Sequence, residues 1–192
     1  MRTTIRGAWV LFFVLAACAQ EKQSTDKFFD FQGFIDEQIS QLSQHGRALE
    51  KTSNVKNIQS DSAYVPSLDG WAAELELFRQ LENINKPTLK SQYHVEDAMK
   101  DTKSNLKIRQ YTSATAPIRS IKFYYQGSFT QLKKIEATVQ EDNMLYANGR
   151  VLTMEFEEED RKPLLHYYTM TGFQKMILRD TVNFSLQGQI DL

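Results

Sequence analysis

The stretch that decides the fold is Asn-Leu-Lys-Ile-Arg-Gln-Tyr at residues 105–111, where apolar and polar side chains begin to alternate. A period of two is typical of a β-strand that buries one face. The same period returns at 121–125 and at 132–139, where Ile135, Ala137 and Val139 share one side. From about Leu106 onward the chain therefore predicts antiparallel strands with short connections.

The strongest turn signal in this region is Asn148-Gly149, because both residues accept the positive φ of a type I′ turn. It predicts a hairpin that joins a strand at 144–146 to a long strand at 150–157. Further strands are predicted at 164–170, 173–178 and 182–190, with a charged turn at 158–163 and a break or bulge at Gly172.

Helical periodicity precedes the strands. Apolar residues spaced by three, four and seven predict amphipathic helices at 28–49 and 68–84. Asp26 is the expected N-cap of the first helix, which Gly46 ends or kinks, and Ser67 or Asp69 caps the second. Between them, 51–65 is mixed, with a short edge strand predicted at 55–58. The first stripe comprises Phe28, Phe31, Ile35, Ile39, Leu42 and Leu49, and the second comprises Trp71, Leu75, Phe78 and Leu81.

The order of these elements predicts an α+β fold. Two N-terminal amphipathic helices pack on one face of an antiparallel β-meander of about six to eight strands. The length fits a single domain at 27–192, preceded by a polar tether at 18–26 and a leader at 1–17. Charged residues at 24% and hydrophobic residues at 41% are typical of a globular domain.

The leader has the layout of a secretory signal. Arg2 and Arg6 give a positive start without an acidic residue, and the apolar run at 7–17 follows. At about 1.5 Å per residue this run spans little more than half of a roughly 30 Å hydrocarbon core. It is therefore expected to direct export rather than to anchor the chain as a transmembrane helix.

The end of the leader, Leu15-Ala16-Ala17-Cys18, resembles the lipobox of bacterial lipoproteins, which lipoprotein signal peptidase recognises. The resemblance implies cleavage before Cys18, attachment of palmitate-type acyl chains to this cysteine, and a membrane as the first partner. Several acyl chains anchor stably, at about 0.8 kcal/mol per buried CH2. Ala19 follows where an Asp retains many Gram-negative lipoproteins in the inner membrane. The resemblance thus implies the outer membrane, with the domain facing the periplasm.

The composition of the mature chain narrows the partner classes. Cys18 is the only cysteine, so the exported chain forms no internal disulfide. Loss of Arg2 and Arg6 leaves 21 basic and 24 acidic residues, a net charge of −3. This negative net charge argues against nucleic acid as a partner, and against an anionic surface that is bound through charge alone.

Candidate chemistry in the sequence is sparse. His45, His94 and His166 are far apart, and none has a cysteine or a second histidine at metal-ligand spacing. The acidic run 157–160 lacks the glycine of a calcium loop and favours a solvated turn. Ser128 has no base marked nearby in sequence. The sequence therefore predicts no catalytic residue, metal ligand or cofactor.

The tyrosine pairs are the most distinctive remaining feature. Tyr124-Tyr125 and Tyr167-Tyr168 each place one ring on either side of the sheet. Ordinary cross-strand packing accounts for such pairs, but exposed rings also form apolar binding surfaces. Because apolar residues occur at both parities of these strands, we expect part of the second face to be shielded. The candidate ligand-binding residues are Tyr124, Tyr125, His166 and Tyr168.

Two functions remain open from the sequence. The first is a non-enzymatic envelope lipoprotein that binds a protein partner or an apolar ligand. The second is an envelope hydrolase whose site is assembled only in the fold. A convergent Ser–His or His–carboxylate pair in a pocket would favour the enzyme, and an apolar groove without such a pair would favour binding.

Overall fold

A computed structural model describes residues 27–192, so the leader, the tether and Cys18 lie outside the described residues. The helices are α1 (Phe31–Gln44), α2 (Leu68–Arg79), a 3-10 helix (Gln80–Asn85) and α3 (Pro87–Lys90). The strands are β1 (Leu49–Val55), β2 (Ile58–Tyr64), β3 (His94–Lys100), β4 (Lys107–Thr112), β5 (Ile118–Tyr125), β6 (Leu132–Asp142), β7 (Tyr146–Glu159), β8 (Lys162–Met176) and β9 (Val182–Ile190).

The strands form one antiparallel sheet with the order β2-β1-β9-β8-β7-β6-β5-β4-β3. Strands β3 to β9 are a continuous meander, and β1 pairs with β9 from Leu49↔Ile190 to Val55↔Phe184. The predicted α+β class and the meander are confirmed. Within residues 27–192 the sheet has nine strands rather than six to eight, and the β1–β2 hairpin separates α1 from α2.

The extra hairpin accounts for the mixed segment at 51–65. Lys56 and Asn57 take φ values of 53° and 66°, the left-handed conformation of a two-residue turn. The predicted edge strand at 55–58 is therefore wrong as one strand, because Lys56 and Asn57 form the turn, while Val55 ends β1 and Ile58 begins β2. The polar character of β2, which is exposed along its whole length, hid the strand from a search for hydrophobic periodicity.

The predicted hairpin at Asn148-Gly149 is also wrong. Both residues lie inside β7, and the turn comes earlier, at 143–145. Gly149 lies opposite Phe173 of β8, and a Cβ atom at Gly149 would lie 2.6 Å from the Phe173 ring. The glycine is thus needed for a close aromatic contact rather than for a turn. Gly172 likewise lies within the unbroken β8, opposite Phe184.

The helix starts are set by side-chain caps. Asp30 Oδ1 accepts a hydrogen bond from the Gly33 amide at 3.2 Å, and Ser67 Oγ accepts one from the Gly70 amide at 3.2 Å. Ser67 was one of the two expected caps of α2, whereas Asp26 lies outside the described residues. These caps supply acceptors for amides that have no partner within the helix. The helix α1 begins at Phe31, after the Asp30 cap, and ends at Gln44, just before Gly46 with its φ of 59°, so it is shorter than the predicted 28–49.

The core lies between the helices and one face of the sheet. Phe31 of α1 packs on Phe123, with ring centroids 5.7 Å apart, and Phe78 of α2 packs on Tyr168 at 5.8 Å. Trp71 of α2 is fully buried, as its place on the apolar stripe predicts. The buried residues of this core lie between Phe31 and Ile190 in the sequence, and they pack against one another as one cluster.

The opposite face of the sheet is polar. It presents Lys122, Glu136 and Thr153, all half-buried, from the central strands. In β5 and β6 buried residues alternate with half-buried ones along most of each strand. The sequence predicts that part of this face is shielded, and in the middle of the sheet the residues on it are polar and half-buried.

Candidate functional site

The structure separates the adjacent tyrosines Tyr124 and Tyr125. Tyr125 is buried on the helix side, and its hydroxyl donates to Asp97 Oδ1 at 3.0 Å. Burial, together with this carboxylate, raises the pKa of Tyr125 above its ordinary value. Tyr124 lies on the polar face, where the Lys134 ammonium group sits 5.3 Å from its ring centroid. The two rings therefore do not share one binding surface.

Tyr168 is fully buried and belongs to a network around Glu74 of α2. The Glu74 carboxylate accepts hydrogen bonds from Lys51 Nζ at 2.7 Å, the Tyr64 hydroxyl at 2.7 Å and the Tyr168 hydroxyl at 3.1 Å. Burial raises the pKa of Glu74, but the bonds from Lys51 and Tyr64 outweigh it and hold this pKa below its ordinary value. Burial, reinforced by Glu74, raises the pKa of Tyr64 to about 12. The network joins β1, β2, α2 and β8.

His166 occupies a bulge in β8. Glu155 pairs with Tyr167 and Phe156 pairs with Leu165, so His166 is the extra residue between them. Its Nδ1 lies 3.9 Å from Oε1 of the exposed Glu157. The bulge is tied to α1 through the buried Gln38, which donates to the Pro163 carbonyl at 2.9 Å and accepts from the Leu165 amide at 2.8 Å. His166 thus lies apart from Tyr168 and its network.

A cavity among the described residues lies elsewhere, between the 3-10 helix and the sheet. This cavity of about 180 Å³, partly open to solvent, is lined by parts of α2, α3, the loop before β5, β6 and β7. Its apolar lining comprises Leu77, Leu81, Leu89, Pro117, Ile118, Val139 and Leu152. Its polar lining comprises Gln80, Asn83, Lys86, Glu141 and Arg150. An apolar lining with a few polar groups is typical of a small-molecule site.

Arg150 is the unusual member of this lining. It lies on β7 between its two cross-strand partners, Val139 of β6 and Gly172 of β8. Its Nε is buried and has no hydrogen-bond partner among residues 27–192. Within the same residues, no carboxylate lies within the 4.0 Å ion-pair distance of Arg150, and Glu141 is the acidic residue of the lining. A buried polar group that lacks a partner costs about 1–3 kcal/mol, so an acceptor supplied by a ligand would be stabilising here.

Other reactive side chains are engaged in local contacts. Ser128 Oγ lies 2.6 Å from Thr130 Oγ1, and His45 Nδ1 lies 2.8 Å from the Gln41 carbonyl. Within the described part of the chain, no group of three His, Cys, Asp or Glu side chains is arranged to hold a metal ion. No helix between residues 27 and 192 is both long and apolar enough to span a bilayer.

The cavity was not predicted from the sequence. Its lining comes from segments separated by up to 75 positions, between Leu77 and Leu152, and no spacing rule joins them. One signal was available: Arg150 is a charged residue at the same strand parity as Leu152 and Met154, which are buried on the helix side. Comparison of the chain with protein-family models, with curated proteins and with solved structures gives no match.

Proposed function

We propose that this chain is a lipid-anchored, non-enzymatic binding protein of the bacterial cell envelope. The lipobox resemblance of residues 15–18 supports attachment through Cys18. Residue 19 is Ala rather than Asp, which supports the outer membrane as the site of attachment, with the domain on the periplasmic side. The ligand is a small amphiphile, with an apolar body and an acidic head.

The observation that carries this proposal is the cavity beside Arg150. Apolar side chains surround the interior, where burial of a ligand is worth about 25 cal/mol per Å² of apolar surface. The Arg150 guanidinium gives the site a cation, and Lys86 adds a second one to the lining. A planar guanidinium binds carboxylate or phosphate oxygens through two parallel hydrogen bonds, which would also supply a partner for the buried Nε.

The polar face of the sheet makes a less suitable ligand surface. Tyr124 is covered in part by Lys134, and its neighbours Lys122 and Glu136 are half-buried charged residues of β5 and β6. The candidate residues Tyr125 and Tyr168 serve the proposed function indirectly. They hold the edge strand β3 and the helix α2 in place through Asp97 and Glu74.

Native mass spectrometry of the protein released from envelopes by mild detergent tests the ligand. We expect an added mass that organic extraction removes, and that mass should be absent from the Arg150→Met variant. Lys122→Met is the matched control, because it removes a cation from the opposite face of the same sheet. Retention of the bound mass by Arg150→Met, or its loss from Lys122→Met as well, would contradict the assignment to this cavity.

A further inference from the structure

Three turns at one end of the sheet carry exposed apolar side chains. They are the β1–β2, β6–β7 and β8–β9 turns, which lie together because Val55 pairs with Phe184 and Tyr146 pairs with Met176. The Ile177 amide also donates to the Leu145 carbonyl at 2.9 Å, which joins two of the turns. We call this set the apolar tip: Val55, Ile58, Met144, Leu145, Met176, Ile177 and Leu178.

The exposure of the tip is unusually complete. Leu178 is 99% exposed and Met144 is 94% exposed, although both are large apolar side chains. Leu178 also has a φ of 58°, in the left-handed region that favours Gly or Asn. A leucine there gains nothing from the fold, since it makes no core contact and its backbone is strained. Its side chain is suited to a partner outside the domain.

The β6–β7 turn holds its apolar residues outward in a fixed conformation. Asn143 Oδ1 accepts hydrogen bonds from the amides of Leu145 at 2.8 Å and Tyr146 at 3.0 Å. The Asn143 amide donates to the Tyr146 carbonyl at 2.8 Å. Because the backbone is bonded in this way, Met144 and Leu145 project without loss of further backbone entropy on binding.

Basic residues flank the tip. Lys56 lies in the β1–β2 turn, Lys175 lies at the end of β8, and Arg179 follows Leu178. The acidic residues in the same turns are Asp142 and Asp180, and Asp142 lies 4.0 Å from Arg119. The tip therefore combines protruding aliphatic side chains with three basic and two acidic residues around them, an excess of one positive charge. This combination suits a lipid surface with anionic headgroups.

We propose that the apolar tip inserts into the headgroup region of the membrane that anchors the protein. The choice of a bilayer as the occupant rests on the proposed lipid anchor at Cys18. Eight residues, 19–26, separate this cysteine from the described chain, and the connection from Cys18 to Lys27 reaches about 30 Å when fully extended. The anchor thus holds the domain against the surface, where even weak insertion of the tip fixes its orientation.

Vesicle co-sedimentation of the unlipidated chain 18–192 with Cys18→Ser tests this proposal. The probes are vesicles of phosphatidylethanolamine with phosphatidylglycerol, and vesicles of phosphatidylcholine alone. We expect binding to the first, and a loss of about tenfold for each apolar tip side chain replaced, as in Met144→Asn with Leu178→Asn. The Leu178→Asn change suits the φ of this position, so the variant keeps its fold.

The matched control is Val65→Asn, which removes an exposed apolar side chain beyond the opposite end of β2 and should leave vesicle binding unchanged. Absence of binding by the parent chain would overturn the proposal, as would equal binding by the double variant. Loss of an envelope-protein contact in the double variant, without vesicle binding by the parent, would assign the tip to a protein instead. Failure of the lipid anchor is detected separately, by labelled palmitate incorporation into the full chain.

Discussion

The ring of Tyr168 lies over Gly188, the residue directly opposite it on the neighbouring strand. A Cβ atom at position 188 would lie 2.3 Å from Cε1 and Cζ of this ring. The glycine therefore gives the ring the space from which its hydroxyl reaches Glu74. One backbone position on β9 thus determines how α2 is attached to the sheet.

Gly188→Ala should destabilise the protein by about 1–3 kcal/mol, the usual cost of overpacking a core. The displaced Tyr168 ring would also lose its bond to Glu74. Urea unfolding at neutral pH measures the change. An unchanged unfolding midpoint in Gly188→Ala would show that the ring does not need this space.

Trp71→Ala should cost about 3–5 kcal/mol, because it removes the largest fully buried side chain. Trp71 is the only tryptophan of residues 18–192, so the fluorescence of that chain reports on this site alone. We expect blue-shifted emission that iodide quenches poorly. Emission typical of a tryptophan in water would contradict the packing of α2 on the sheet.

Glu74→Gln should destabilise the protein by about 2 kcal/mol at neutral pH, since it weakens three hydrogen bonds to a charged acceptor. The pKa of Glu74 is lower in the folded protein than its ordinary value of 4.5, so its contribution is present above that pH. The contribution is lost as the pH falls through the lowered value. The stability difference between the two proteins should therefore shrink in acid.

Urea unfolding of both proteins between neutral pH and about pH 3 measures this dependence. Glu50 is exposed and directly precedes Lys51 on β1, so Glu50→Gln is the control variant. A stability difference that is the same at every pH would mean that Glu74 does not act through its charge.

Cys18→Ser should release the protein from the membrane fraction or leave it with its leader, because the acyl chains need the thiol. Fractionation of envelopes, with the chain length read by mass spectrometry, distinguishes the two forms. Normal cleavage together with continued recovery in the membrane fraction would show that the resemblance of residues 15–18 to a lipobox is coincidental.

Sequence patterns predicted those features that depend on neighbouring residues. The apolar stripe of α2 and its cap at Ser67 follow from local spacing and capping chemistry. Asn148-Gly149 shows where such signals fail, since a dipeptide suited to a turn lies inside β7 because Phe173 packs on Gly149. The partner that decides this conformation is 24 positions away.

The candidate site was harder to predict for the same reason. Tyr124 and Tyr125 were singled out as adjacent rings, but the sheet places them on opposite faces and gives each a separate neighbour. Arg150 gains its significance only from Val139, Gly172 and the 3-10 helix, which the fold brings around it. The burial pattern along one strand does not predict such a cavity.

Calorimetric titration of the unlipidated chain 18–192 with decanoate, and with decanol as the uncharged match, tests the cavity most directly. The account predicts saturable binding of one decanoate per chain, weaker binding of decanol, and decanoate binding by Arg150→Met that falls to the level of decanol. Lys122→Met should bind both ligands as the parent does. Equal affinity of the parent for both ligands, or no saturable binding of either, would contradict an amphiphile site governed by Arg150.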